Sequence, residues 1–122
     1  MELILNTAAG RRLAERLRSP RVTIHAPHLI DLVVAQTLRR YVREGALSDE
    51  RGELALEHFS LLDLNRYGHD TFLRRIWALK ENITAYDAAY VALAEALDAP
   101  LVTGDRKLAK APRIQAAIEL LE

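Results

Sequence analysis

Short apolar runs alternate with helical patterns along this chain, and that alternation restricts the fold more than any other feature. The runs are RVTIHAP (Arg21–Pro27), SLLDL (Ser60–Leu64), PLVT (Pro100–Thr103) and the closing AAIELLE. They read as nearly continuous apolar stretches, which is the signature of strands buried on both faces of a parallel sheet. Between them, Ile30, Val34, Leu38 and Tyr41 fall on one helical face, and Gly45 ends the pattern. Ser48 is placed to cap a helix over DERGELALEHF, and DTFLRRIWALKEN reads as an amphipathic helix with Phe72, Ile76 and Leu79 in line. Thr84 is expected to open a further helix, striped by Tyr86, Tyr90, Leu93 and Leu97, and RKLAKA a short one. The expected architecture is a single α/β domain over residues 1–122: a central parallel sheet with helices on both faces, three layers in all.

Composition excludes several functions. Lys plus Arg and Asp plus Glu number 17 each, so no global basic field draws in nucleic acid, though local patches remain open. The absence of cysteine rules out a disulfide framework and any zinc–thiolate site, and fits a reducing cytosol. No apolar run approaches the roughly 18 residues that a spanning helix needs, and MELILN is too short and too acidic for a signal peptide. The expectation is a cytoplasmic protein without a membrane segment.

Two acids stand at structural joints. Asp87 lies three residues after Thr84, the spacing of a capping box. Asp105 follows the strand PLVT by one glycine and precedes a helix, the position of an N-cap. Local structure alone accounts for both. Asp105 also sits just outside the carboxyl end of a strand, where ligands of parallel sheets bind. The other candidates carry less. His25 and His28 flank Pro27 at a strand end and are a poor metal pair; His58 and His69 read as surface or helix-end residues. Arg11, Arg12, Arg16 and Arg18 form a basic helical face, ordinarily solvated, that also suits phosphates or an acidic partner. Phe72 and Trp77 are expected in the core rather than as a base-stacking platform. There is no glycine-rich phosphate loop, nucleophile elbow or zinc motif.

YDAAYVALAEAL followed by LVTGDRKLA resembles the third and fourth acidic motifs of VapC-type PIN domains, the ribonuclease toxins of toxin–antitoxin pairs. GRRLAERL, HAPHLIDLVVAQTLRRYVREGAL and RRIWALKENITAYDAAY resemble upstream segments of that family, in order. The resemblance implies a PIN-like fold with a five-stranded parallel sheet. At one edge of it, four acids hold Mg²⁺ or Mn²⁺ for RNA cleavage, because such ions prefer hard oxygen ligands. Asp87 matches the third acid, Asp105 the fourth, and Thr103 the hydroxyl residue two before it. Val33 occupies the place of the second acid, a glutamate in the family. Asp31 is about 200° away around the helix and is a poor substitute. At the start of the chain, ELIL matches the end of the family's first helix, so that the first strand and its aspartate are missing. Alternatively, MELIL is that strand, with Asn6 in the aspartate's place.

The resemblance therefore implies a Mg²⁺-dependent endoribonuclease that retains two of four acids, binds its metal weakly and cuts RNA poorly. Its partners would be a cognate antitoxin, RNA and a second copy of the chain. The alternative is a catalytically inactive PIN-like protein that still pairs with an antitoxin or RNA.

Overall fold

The computed structural model describes residues 21–121 together with Glu15 and Arg18. The Arg11, Arg12 and Arg16 face, and both assignments for MELIL and Asn6, lie outside the described residues. The elements run β1 (Ile24–Pro27), α1 (Ile30–Arg43), α2 (Asp49–Ser60), β2 (Leu64–Tyr67), a 3-10 turn (Asp70–Phe72), α3 (Leu73–Ala78), α4 (Ala85–Leu97), β3 (Leu101–Thr103), α5 (Arg106–Lys110) and β4 (Ile118–Leu120). Helices thus alternate with strands in an α/β arrangement. β1 pairs with β2, and β3 pairs in parallel with β4, Leu101 opposite Ile118 and Thr103 opposite Leu120. Among the described residues, packing defines two compact units. One holds residues 21–25 and Leu29–Asn65; the other holds Ala26–His28 and residues 66–121.

The first unit is a helical hairpin. Val34 and Leu38 of α1 are buried against Ala55 and Phe59 of α2, with Ile30, Leu47, Leu62 and Leu64 packed around them. The spacing of the apolar positions on α1 gives it one buried face. Gly45, at φ 79°, takes the left-handed conformation that ends that helical pattern. Ser48 caps α2 by accepting a hydrogen bond from the Arg51 amide at 3.2 Å. A Cβ on Gly52 would lie 2.8 Å from Val42 Cγ2, so the glycine permits the close approach of the two helices.

The buried strand expected at Ser60–Leu64 is displaced. Nothing in DERGELALEHFS breaks the helix, so α2 continues through Ser60, and the strand begins at Leu64. Leu61 is left exposed while Leu62 and Leu64 reach the core.

The second unit is organised by α4. Leu79, Ala88, Val91 and Leu108 form its buried centre, with Ile76, Ile83, Leu101 and Ile114 packed on it. Only half of the expected stripe on α4 turns inward: Leu93 is buried and Tyr90 half-buried. Ala88, Ala89, Val91, Ala92, Leu93 and Ala94 are buried, whereas Tyr86 and Leu97 are exposed. Alanines on several sides let neighbours approach closely, so this helix is enclosed more widely than an amphipathic stripe would require. DTFLRRIWALKEN is also shorter as a helix than its periodicity suggests: the helix stops at Ala78 and closes in a turn where Leu79 O accepts from the amides of Asn82 (3.0 Å) and Ile83 (3.2 Å). Ile76 and Leu79 face the core, Phe72 is half-buried, and Trp77 is 69% exposed, contrary to the expectation for that ring.

A bidentate ion pair fastens this unit. Arg75 donates from Nε to Glu95 Oε1 at 2.7 Å and from Nη2 to Glu95 Oε2 at 2.9 Å. Arg75 Nη2 also reaches Arg113 O at 2.8 Å, and Glu95 Oε2 accepts from the Gln115 amide at 2.8 Å. The pair thereby ties α3 to α4 and both to the segment leading into β4, where Arg113 holds φ 65°.

No helix among the described residues is long and apolar enough to cross a membrane.

Candidate active site

Asp87 and Asp105 are positioned by one patch of core. Ala88, next to Asp87, is fully buried; Leu108, three residues after Asp105, is buried in the same cluster. The packing of α4 against α5 therefore sets where both carboxylates emerge.

Each acid also has local support. Thr84, in an extended conformation before α4, accepts a hydrogen bond from the Asp87 amide at 3.1 Å. This is half of the expected capping box: the Asp87 carboxylate is not bonded to the Thr84 amide. Asp105 caps α5, its Oδ1 accepting from the amides of Lys107 at 2.8 Å and Leu108 at 3.4 Å. Its own amide donates to Thr103 Oγ1 at 3.1 Å. Thr103, at the end of β3, thus orients the turn carrying Asp105, and its hydroxyl proton is left to point elsewhere.

The two acids sense each other. Burial first, and the negative charge of Asp105 second, push the half-buried Asp87 carboxyl above its ordinary value of 3.8; the Thr84 hydroxyl pulls in the opposite direction. Two carboxylates held close enough to repel, one of them partly withdrawn from water, make a site that favours a proton or a cation. Their hard oxygens suit Mg²⁺ or Mn²⁺. They are a sparse ligand set, however: among the described residues no group of three or more His, Asp or Glu side chains is gathered to hold a metal.

Val33 lies on α1 in the first unit, 36% exposed, and Asp31 is half-buried in the first turn of that helix. His25 Nε2 is engaged with Thr23 Oγ1 at 2.7 Å, and His58 and His69 are exposed. The feature that periodicity missed is Tyr86, 71% exposed beside Asp87. The signal was the neighbouring alanines at 88, 89 and 92, which mark the enclosed side of α4 better than its larger residues do.

The family profile described as PIN domain matches residues 2–114. Ribonuclease VapC1 of Mycobacterium tuberculosis is 46% identical over 98 residues, covering 80% of this chain and 74% of the relative. VapC ribonuclease Mb0985 of Mycobacterium bovis is 39% identical over 120 residues, 97% of this chain and 89% of the relative. Ribonuclease VapC12 of Mycobacterium tuberculosis is 39% identical over 121 residues, 99% and 92% respectively.

Proposed function

The chain belongs to the PIN-domain family, in its VapC branch, and from that premise we propose that it is a divalent-metal-dependent endoribonuclease toxin acting through Asp87 and Asp105. The observation that carries the reading is the juxtaposition of these two acids, with the Asp87 carboxyl raised by burial and by its neighbour's charge. A Mg²⁺ or Mn²⁺ ion held there would supply positive charge to the scissile phosphate. Asp87 would contribute a half-buried carboxylate from the first turn of α4. Asp105 would contribute the oxygen left over from capping α5, and Thr103 would hold the Asp105 turn in place. The family match over residues 2–114 favours one PIN-like domain for the chain, with a cognate antitoxin, RNA and a second copy as its partners in the cytoplasm.

Activity is expected to be low. Val33 stands where the family's pattern calls for an acid, so one negative charge that would offset the ion's dehydration is lacking. A poorly positioned nucleophile can cost about a hundredfold in rate. That same substitution favours a second reading, a PIN-like protein that binds antitoxin or RNA without cutting.

The test is cleavage of a panel of structured RNAs with Mn²⁺ or Mg²⁺. Little or no cutting is expected; any that occurs should be abolished by EDTA and by Asp87→Asn or Asp105→Asn, and Val33→Glu alone should recover little. Cutting that persists in both Asn variants would refute the site. RNA that is bound but not cut would favour the binding reading.

A further inference from the structure

Thr84 acts on Asp87 at both its backbone and its side chain. It precedes α4 in an extended conformation, φ −68° and ψ 161°, and its Oγ1 accepts from the Asp87 amide at 3.1 Å. A hydroxyl that accepts there keeps its own proton to donate. Threonine is stiff about χ1, so an oxygen fixed by the Asp87 amide leaves that proton only a narrow circle in which to turn. The hydroxyl also works on the Asp87 carboxyl, favouring its ionised form against burial and against the charge of Asp105.

The two acids differ in how firmly they are held. Asp105 Oδ1 accepts from the amides of Lys107 and Leu108, at 2.8 and 3.4 Å. Asp87 is the third residue of α4, where a capping-box acid would bond back to the Thr84 amide, and its carboxylate makes no such bond. A half-buried carboxylate that is repelled by its neighbour and free of its cap has to be ordered before it can serve an ion together with Asp105. Groups that hydrogen-bond a ligating carboxylate fix its orientation and raise metal affinity. Capping alone makes a different demand, because glycine serves as an N-cap about as well as threonine. A Thr84 that only caps could be exchanged for glycine with little effect.

We propose that Thr84 is a positioning residue for Asp87: its hydroxyl accepts from the Asp87 amide, donates to the Asp87 carboxylate, and so holds that carboxylate in the orientation it presents to a divalent cation. This rests on the reading of Asp87 and Asp105 as a metal-binding pair, and it gives that pair a third member that is not itself a ligand.

The experiment measures Mn²⁺ affinity of the full chain at pH 7, without RNA, from the electron paramagnetic resonance signal of free Mn²⁺. Paramagnetic broadening of the Asp87 and Asp105 amide signals locates the ion. Thr84→Gly keeps a good N-cap and removes the hydroxyl; Thr84→Ser keeps both. Thr84→Gly should weaken Mn²⁺ affinity about tenfold, and Thr84→Ser should stay within about twofold of the natural chain. Amide exchange over residues Ala88–Ala92 should be alike in all three proteins, which separates orientation of the carboxylate from fraying of α4. An affinity in Thr84→Gly within about twofold of the natural chain, or an affinity in Thr84→Ser as weak as in Thr84→Gly, would overturn the proposal. So would a loss of affinity in Thr84→Gly matched by faster exchange along α4, which would make Thr84 a cap and nothing more. If Mn²⁺ still broadens the signals of Asp87 and Asp105 alongside any of these results, the role of Thr84 alone has failed. If Mn²⁺ broadens neither in the natural chain, the metal-binding reading has failed and the proposal with it.

Discussion

Replacing Glu95 by alanine should destabilise the second unit measurably, and the size of the loss follows from its contacts. Glu95 accepts from Arg75 Nε and Nη2 and from the Gln115 amide, at 2.7, 2.9 and 2.8 Å. Its side chain is 13% exposed, that of Arg75 30%. Charge-assisted hydrogen bonds of this kind contribute about 1.5–3 kcal/mol, and partial exposure discounts the figure. Water can replace the partner of the exposed Gln115 amide; the guanidinium loses its bidentate partner. A net loss of about 2 kcal/mol results. For a chain of 122 residues the unfolding entropy is about 0.26 kcal/mol/K, so Tm should fall by roughly 8 °C. The hydrogen bond from Arg75, ahead of the opposing effect of burial, holds the Glu95 carboxyl below its ordinary 4.5. This contribution is therefore present above pH 4.5 and disappears as pH falls through the depressed folded value. Thermal unfolding followed by circular dichroism from pH 7 to pH 3, for the natural chain and for Glu95→Ala and Glu95→Gln, tests both statements. A Tm shift under about 2 °C for Glu95→Ala, or a deficit in Glu95→Gln that does not shrink on acidification, would refute the reasoning.

Asp87→Asn should raise stability at pH 7. The folded carboxyl has a raised pKa, so its ionisation opposes folding as pH rises from 3.8 through the folded value; urea titrations should show the variant's advantage vanishing below pH 3.8. Thr84→Ala should cost about 1 kcal/mol by removing the cap on the Asp87 amide, and Thr84→Ser should restore most of it in the same titrations. Asp98, at φ 49° past the end of α4, occupies a left-handed position that glycine adopts without penalty, so Asp98→Gly should stabilise by about 0.5–1 kcal/mol, read as a higher Tm. Mn²⁺ should broaden the NMR signals of residues around Asp87 and Asp105, with Mg²⁺ affinity about millimolar or weaker; broadening centred elsewhere would contradict the assignment.

Where local chemistry decides, residues alone located the elements. Ser48, Thr84 and Asp105 each cap the helix that follows them, as their side chains and spacing require. Val34 and Leu38 are buried as their period predicts. Sequence reasoning failed where tertiary packing decides. The helix through Ser60 outlasts its apolar pattern because nothing interrupts it. α4 buries alanines that a search for large residues passes over. Trp77 is hydrophobic enough for a core, yet its ring is 69% exposed. At the site, the turn chemistry of both aspartates was legible, and each does perform a capping task. That they stand close enough to repel each other was not, because α4 and α5 are brought together by Leu79, Val91 and Leu108, contacts without a local signature.

Because Ala88 and Leu108 share one packed cluster, the spacing between the two acids is gauged by hydrocarbon. A random-mutation screen for loss of function would then return two kinds of lesion: changes to Asp87 and Asp105 themselves, and enlargements such as Ala88→Val, which alter no polar atom yet move one carboxylate relative to the other. The second kind would be suppressible in the screen by trimming Leu108 or Val91, and the first would not. The pattern of second-site revertants would therefore distinguish lesions of the two acids from lesions of the packing that sets the distance between them.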